Sequence, residues 1–318
     1  MHKFKLMAVN MLSVLAVLTV PFPGTTDTLS EILQLAYSSN RQLVLKRLHL
    51  ASQRDSINIA ASDLGISIST AFTGSRDWDL KMGSHSDGFS GSVISSYTLS
   101  DGNRSKNRII LEKHILAKAY HQLDELEQRV LLDTINSYLN VLRDQKFVDL
   151  SNGNVTVLER QFEEIKDRFS LGEVTRTDVA QAESALASAR ANLTAKQGAL
   201  TITKESFLSQ VGILPNNLKP VRSSFGLPKD IDSAKKRALK QHPRILSAKV
   251  QEKVASLSVD IAKGAKKPLF SLKSSVTNGY NRSAGNYNSA SIKIEGSIPI
   301  FNSGRIDNTV KQAESNLK

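Results

Sequence analysis

Residues 168–193 read RFSLGEVTRTDVAQAESALASARANL. They join two very long helical segments through one turn at Gly172, which can adopt the positive φ that such a turn needs. Beyond the turn, apolar residues recur every seven positions with small alanines between them. This is the pattern of a coiled-coil seam whose partner helix approaches closely, and its residues are Val179, Leu186, Leu193, Leu200, Phe207 and Leu214, with Ala182 and Ala189.

The residues after the turn also predict how the returning helix begins. Thr175 or Thr177 can cap its first turn, and Asp178 adds negative charge near the positive end of its dipole. We expect the outgoing helix to span about residues 104–169, with a break or a change of register near Gly153, and the returning helix about 177–211. The outgoing helix carries two apolar stripes, which suggests a neighbour on either side, as in a wall of helices.

Composition limits the possible classes of protein. The chain has 318 residues, 40% of them hydrophobic but only 6% aromatic, which favours extended helices over compact domains. It contains no cysteine, so disulfides and thiolate metal sites are excluded. The net charge of +12 is diffuse and has no aromatic interleaving, so it indicates solvated helix faces and no nucleic-acid partner.

The first 26 residues predict an export signal. Lys3 and Lys5 precede an apolar run from Leu6 to Val20, and a helix-breaking region with small residues follows to Thr26. The apolar run is shorter than the roughly 20 residues that a membrane helix needs, so a cleaved signal is favoured over an uncleaved anchor. No other segment is apolar enough to cross a bilayer as a helix.

Four runs alternate between apolar and polar residues, as membrane strands do: 66–79, 89–99, 270–280 and 291–300. The alternative is a pair of soluble amphipathic hairpins. In lipid, four strands leave two unsatisfied edges, so a closed barrel would have to recruit strands from other copies. Aromatic residues are expected at the membrane interfaces, namely Trp78, Tyr97 and Tyr280.

The chain repeats itself at a shift of about 202 residues. Leu35-Ala36 and Asn40 match Arg237-Ala238 and His242, and the Gly102 turn matches the Gly304 turn about 201 residues later. We therefore divide the chain at its proline-rich linker. The predicted units are a signal peptide (1–26), a first repeat (27–214), a linker (215–229) and a second repeat (230–318).

The tip run Arg-Phe-x-x-Gly-x-x-Thr-x-Thr-Asp at 168–178 resembles that of TolC-type outer-membrane efflux proteins. The resemblance implies a mainly α fold with four membrane-type β-strands, in which a long helical hairpin and strand pairs build a trimeric β-barrel/α-barrel duct. It assigns the channel tip, gate and adaptor contact to Arg168, Gly172, Thr175, Thr177 and Asp178. Asp178 remains open between a helix cap and a gate residue, and the cap is favoured.

The resemblance also implies location and partners. Such a protein lies in the outer membrane with helices extending into the periplasm. It forms a homotrimer in the lipid bilayer and acts as a passive exit duct for efflux or type I secretion, with a periplasmic adaptor (membrane fusion) protein and an inner-membrane transporter. By the repeat, Arg305 corresponds to Arg104, so we expect the second long hairpin to be incomplete.

Two other classes of protein stay open, namely a truncated, non-functional remnant of such a channel and a periplasmic coiled-coil adaptor or structural protein. An enzyme is not expected. No catalytic constellation is present, and His114 and His121 are seven residues apart instead of the four that would place two metal ligands side by side on a helix. We therefore expect no cofactor and no metal.

Overall fold

The computed structural model describes residues 28–79, 83–221, 226, 228–282 and 285–318, so the predicted signal peptide lies outside the described residues. Within these ranges the chain forms seven helices and four strands. The helices are α1 (Leu29–Ser39), α2 (Arg41–Ser62), α3 (Arg104–Ser170), α4 (Arg176–Val211), α5 (Ile231–Gln241), α6 (Pro243–Gly264) and α7 (Arg305–Leu317). The strands are β1 (Ser67–Asp79), β2 (Ser84–Ser100), β3 (Leu269–Asn281) and β4 (Gly285–Ser297).

The elements recur along the chain. The helices α1 and α2 and the strand β1 begin at residues 29, 41 and 67, and α5, α6 and β3 begin 202 residues later, at 231, 243 and 269. The turns that lead into α3 and α7 each hold two consecutive residues with positive φ: Gly102 and Asn103 in the first, Ser303 and Gly304 in the second. The same backbone path is therefore built twice from different residues.

The four strands form one antiparallel sheet in the order β1-β2-β3-β4, instead of two separate hairpins. The helix α2 leads into β1, β2 leads into α3, α6 leads into β3 and β4 leads into α7, and these helices contact one another in the same order. The result is a single layer in which each strand of the sheet is continued by a helix. Within the described residues, β1 and β4 each pair with one strand only, so the sheet has two open edges.

The helix α3 runs unbroken for 67 residues, about 100 Å at 1.5 Å per residue. Of the two alternatives predicted near Gly153, a break is wrong, because α3 is continuous there. Glycine in a helix costs only about 0.5–1 kcal/mol, and Val155, two residues on, is buried against Leu186 and Ala189 of α4. Packing of the helical hairpin, α3 with α4, outweighs the local preference.

A second cluster lies where α1, α3, α4 and the linker meet: Ile32, Tyr138, Val141, Phe207, Val211 and Leu218. The hydroxyl of Tyr138 donates to the carbonyl of Lys219 at 2.7 Å, which holds the linker across α3. The predicted seam is confirmed at Leu186 and Phe207, whereas Leu214 is 58% exposed because α4 ends at Val211.

Strand boundaries differ from the predicted runs at their polar ends. The strands β2 and β4 begin at Ser84 and Gly285, five and six residues before the predicted starts, because backbone pairing continues through polar residues that carry no alternation signal. The strand β4 ends at Ser297, before Pro299, which lacks the N–H that a strand ladder needs.

The two repeats meet closely where the strands become helices. A Cβ added to Gly102, whose φ is +73°, would lie 2.6 Å from the carbonyl oxygen of Gly264 at the end of α6. Both the positive φ and the backbone contact require glycine here. This contact fixes the spacing of α3 and α6 at the point where β2 and β3 pair.

Candidate functional site: the sheet faces and the hairpin tip

The sheet has two faces of different character, because side chains alternate along each strand and the register aligns them across strands. The apolar face carries most of the large hydrophobic side chains of the four strands: Ile68, Phe72, Trp78, Phe89, Val93, Tyr97, Phe270, Leu272, Val276, Tyr280, Ile292 and Ile294. The polar face is rich in serine and threonine: Ser67, Ser69, Thr73, Ser90, Ser92, Ser96, Ser271, Ser275, Thr277, Ser289 and Ser291.

The polar face is held by contacts between its own side chains. The hydroxyl oxygens of Ser275 and Ser291 lie 2.9 Å apart across β3 and β4. Lys273 Nζ is 2.6 Å from Glu295 Oε2 on the same two strands. These groups satisfy one another while remaining open to water.

No helix packs on either face within the described part of the chain. Phe72 and Ile292 are therefore each 77% exposed. Soluble monomers rarely leave so large a continuous apolar surface open to water. The surface is instead suited to lipid, with the serine-rich face turned to an aqueous interior.

The three predicted interface aromatics lie on the apolar face at its two ends. Trp78 and Tyr280 are near the loops that join each strand pair, and Tyr97 is near the helices. Phe89, the partner of Tyr280, lies eight residues from Tyr97, about 27 Å along β2. A tilt of about 40° reduces that distance to about 21 Å of height, close to the apolar band of about 25 Å in membrane barrels.

At the other end of the molecule, α3 ends in a Schellman motif at the predicted tip. Gly172 has φ +79°, its N–H donates to the carbonyl of Phe169 at 3.0 Å, and the N–H of Glu173 donates to the carbonyl of Arg168 at 3.0 Å. The side chains of the same outer pair also meet, with Arg168 Nε 3.2 Å from Glu173 Oε2. The tip is thus a fixed turn with a charged surface.

A capping box starts α4 immediately afterwards. The backbone N–H and hydroxyl of Thr175 each donate to Asp178 Oδ2 at 2.7 Å, and the N–H of Asp178 donates to Thr175 Oγ1 at 3.3 Å. These bonds from Thr175 hold the pKa of the Asp178 carboxyl below its usual value. Of the two predicted threonines Thr175 is the cap, and Thr177 lies exposed on the first helical turn.

A groove of about 530 Å³ lies on α3 beside the tip. Its walls carry four acidic and two basic side chains and end at Leu171, which is 75% exposed: Glu159, Glu163, Glu164 and Asp167 with Arg160 and Arg168. The groove offers a mixed-charge surface with one apolar contact point.

Sequence reasoning missed two polar groups. Asp144 is buried between α3 and α4, where it accepts from Arg143 Nε at 2.7 Å and from the hydroxyl of Thr203 at 2.5 Å. Arg143 first, and then Thr203, lowers the pKa of the Asp144 carboxyl. The second group surrounds Asp87 on the sheet, where Arg76 pairs with it at 2.6 Å. In the sequence, Asp144 can be noticed as an acidic residue within an apolar stripe of α3. The group around Asp87 becomes apparent only from the strand register.

The described residues offer neither a membrane-spanning helix nor a metal cluster. None of the helices there has the length and apolar character to span a bilayer. No group of three or more histidine, aspartate and glutamate side chains in the same ranges is arranged to hold a metal ion.

Comparison with known proteins gives consistent matches. The family model described as "Outer membrane efflux protein" matches residues 32–212. The outer membrane efflux protein BepC of Brucella suis is 28% identical over 295 residues, covering 92% of this chain and 64% of its own. The outer membrane protein TolC of Escherichia coli K12 is 21% identical over 315 residues, covering 92% and 63%.

The fold is also that of solved outer-membrane channels. The CmeC outer membrane channel of Campylobacter jejuni superposes with a TM-score of 0.80 at 18% identity, covering 91% of this chain and 65% of that one. The chain spans just under two thirds of the length of the curated relatives above. Since the family model covers more than half of its residues, the chain belongs to the outer membrane efflux protein family.

Proposed function

We propose that this protein forms part of a passive exit duct for efflux across the outer membrane. It lies in the outer membrane, with its helices extending into the periplasm. The observation that carries the proposal is a sheet with one apolar and one serine-rich face, in which each strand is connected to a helix of an adjoining helical layer. Such a wall separates lipid from a water-filled bore, and the protein performs no chemical step on the cargo.

The open edges support assembly into a homotrimer. Unpaired backbone groups at the edges of a sheet cannot remain unsatisfied in lipid, so β1 of one copy would pair with β4 of the next until the ring closes.

The hairpin tip serves as the periplasmic contact in this proposal. Arg168, Gly172 and the groove beside them meet a periplasmic adaptor protein, which connects the duct to an inner-membrane transporter. The rigid turn supports this role because a fixed surface loses little conformational entropy on binding. Thr175, Thr177 and Asp178 shape the inner aperture, with Asp178 acting first as the partner of Thr175 in the capping box of α4. The division at 27–214, 215–229 and 230–318 remains part of the proposal.

A cysteine scan tests which face meets water, since the native chain has no cysteine. Ser92 and Thr277 are directly paired on the polar face, and their neighbours Val93 and Val276 are directly paired on the apolar face. The four positions therefore lie at nearly the same depth. In membranes, a charged thiol reagent should label Ser92→Cys and Thr277→Cys about tenfold faster than Val93→Cys and Val276→Cys, because apolar surroundings suppress the reactive thiolate.

Two results would overturn the proposal. One is equal labelling of the two faces, which would mean that the sheet does not separate lipid from water. The other is a monomeric mobility of the membrane-extracted protein before heating, with no larger form that collapses on boiling. A heat-sensitive trimer together with one-sided labelling is the expected result.

A further inference from the structure

The apolar face of the sheet carries charge at one end only. Across the described strands, the only arginine, lysine, histidine or acidic side chains on this face are Arg76, His85 and Asp87, and Arg282 follows directly after β3, so all four lie at the loop end. Arg76 is the direct partner of Asp87, and the backbone N–H of Arg282 donates to the carbonyl of Asp87 at 2.9 Å. Asp87 therefore lies between two arginines in one row across three strands.

The carboxylate does not neutralise this row. Arg76 donates two hydrogen bonds to the Asp87 carboxylate, from Nε to Oδ1 at 2.6 Å and from Nη2 to Oδ2 at 3.2 Å. Arg282 Nη1 lies 3.9 Å from Asp87 Oδ2 and 3.3 Å from His85 Nε2, and His85 Nε2 is 4.0 Å from the same oxygen. Two guanidinium groups face one carboxylate, so the row keeps a charge of +1 even with a neutral imidazole.

The charged side chains remain accessible. The side chains of Arg76 and Arg282 are 57% and 61% exposed, and that of His85 is 44% exposed. The bidentate pair fixes the Arg76 guanidinium, and two guanidinium groups and one imidazole lie around a single carboxylate. A phosphate group is a suitable ligand for such donors, because guanidinium groups bind its oxygens with paired hydrogen bonds.

Aromatic residues place this row at a boundary. Phe89 and Tyr280 lie two residues closer to the helices on the same face, and Trp78 lies two residues beyond Arg76 on the loop side. Aromatic side chains of this kind mark the level of lipid headgroups. A ligand bound at the row would therefore place its anionic group beside Arg76 and Arg282. Its apolar part would lie along Phe89 and the rest of the apolar face towards the helices.

We propose that Arg76, His85 and Arg282, organised by Asp87, bind the phosphate-bearing headgroup of a lipid in the outer leaflet. The inference rests on the proposed function, since it requires the apolar face to lie in lipid. Charge complementarity and continuity with the apolar surface select a lipid over a soluble anion. The helix end of the same face, around Tyr97 and Phe270, has no charged side chain within the described strands, so the site belongs to one leaflet only.

The single tryptophan of the chain, Trp78, is a built-in reporter for this site. The full chain is placed in phosphatidylcholine vesicles, and energy transfer from Trp78 is measured to dansyl-labelled lipid A that carries two phosphates. Dansyl-labelled phosphatidylcholine is the reference probe. We expect the phosphorylated probe to be enriched about tenfold at Trp78, a difference equivalent to about 1.4 kcal/mol.

The variants separate the site from general electrostatic attraction. Arg282→Gln should remove most of the enrichment while leaving Arg76 paired with Asp87, and Arg76→Gln should act in the same direction. Lys273→Gln is the matched control, because it also removes an ion-paired cation from the sheet but on the polar face. Inorganic phosphate should not displace the labelled lipid, since it lacks the apolar part.

Each outcome has a definite meaning. No transfer to either probe would show that Trp78 is not in lipid, which contradicts the proposed function itself. Equal transfer to both probes, an equal loss in Lys273→Gln, or full displacement by inorganic phosphate would overturn the lipid site while leaving the duct intact.

Discussion

The helical hairpin and the sheet are stabilised in opposite ways. In the hairpin and the elements packed on it, Tyr138 and Phe207 are fully buried. In the sheet, Phe72 and Ile292 are mostly exposed on a surface that no helix covers within the described chain. The hairpin is held by contacts within one chain, whereas the sheet needs lipid and other strands to complete it.

The difference separates folding from assembly. A substitution inside the hairpin should change the free energy of unfolding of the isolated chain. A substitution on the apolar face should leave that free energy nearly unchanged and alter membrane insertion instead.

The largest effect is expected for Phe207→Ala. Phe207 is 0% exposed in the cluster that joins α1, α3 and α4, so its removal leaves a cavity and costs about 3–5 kcal/mol. Urea unfolding followed by far-ultraviolet circular dichroism in detergent measures the loss. Phe72→Ala removes the same group from an exposed position and should change stability by less than about 0.5 kcal/mol. Equal losses would end the distinction between the two regions.

Asp144→Asn tests the polar contact inside the hairpin. It should cost about 1–3 kcal/mol, because Arg143 and Thr203 lose a charged acceptor in a buried position. The pKa of Asp144 is lowered in the folded state, so its contribution is fully present above the unfolded value of 3.8 and is lost as the pH falls through the lower folded pKa. The variant should therefore lose part of the wild-type decline in stability at acid pH.

The control for this substitution is Asp149→Asn, five residues further along α3. Asp149 forms an exposed pair with Lys146 at 3.2 Å, and such pairs contribute about 0–1 kcal/mol. If Asp149→Asn flattened the acid profile as much as Asp144→Asn, the buried contact would not be its cause.

Gly172→Ala and Gly198→Ala should shift stability in opposite directions. Gly172 has φ +79° at the tip, a conformation that costs a residue with a Cβ about 1–2 kcal/mol. Gly198 lies inside α4, where an added Cβ would have no described atom within 4 Å outside the adjacent helix backbone, so alanine there should stabilise the helix by about 0.5–1 kcal/mol. Thermal unfolding of both variants gives the sign directly. If Gly172→Ala left the unfolding temperature unchanged, contacts within the chain would not be what fixes the conformation of the tip.

The smallest effect concerns the cap of α4. Thr175→Ala should cost about 1 kcal/mol, because the N–H of Asp178 loses its acceptor and the carboxylate loses a donor. Thr177→Ala, on the same exposed turn, should stay within about 0.5 kcal/mol. Hydrogen exchange at the start of α4 detects the local opening. Similar protection in the two variants would contradict the capping box.

Local signals predicted the helices well and the sheet only in part. The predicted helix bounds of 104–169 and 177–211 lie within one residue of α3 and α4, because Gly172 and Thr175 are strong end signals. The same logic failed at Gly153, where the packing of α3 against α4 outweighs the residue preference. At the tip, the sequence indicated the turn and a choice of two capping threonines, and the structure selected Thr175.

Long-range pairing was beyond sequence reasoning. Phe89 and Tyr280 are neighbours across β2 and β3 although the whole helical hairpin separates them along the chain. The row of Arg76, Asp87 and Arg282 follows from that register alone. Alternation states which side chains share a face within one strand, but it says nothing about which strands pair or at what offset.

The repeat separates the features that local sequence determines from those that depend on tertiary packing. By itself the sequence determined the helices, the strand runs, the tip turn and the repetition, because these depend on local periodicity and on residues with restricted backbone angles. The corresponding helices α1 and α5 nevertheless end in different surroundings. Ile32 and Ala36 of α1 are buried against the helical hairpin, whereas Ile231 of α5 is 73% exposed and no residue of α5 is buried. Only the tertiary structure decided this, since burial depends on which distant elements pack over a helix.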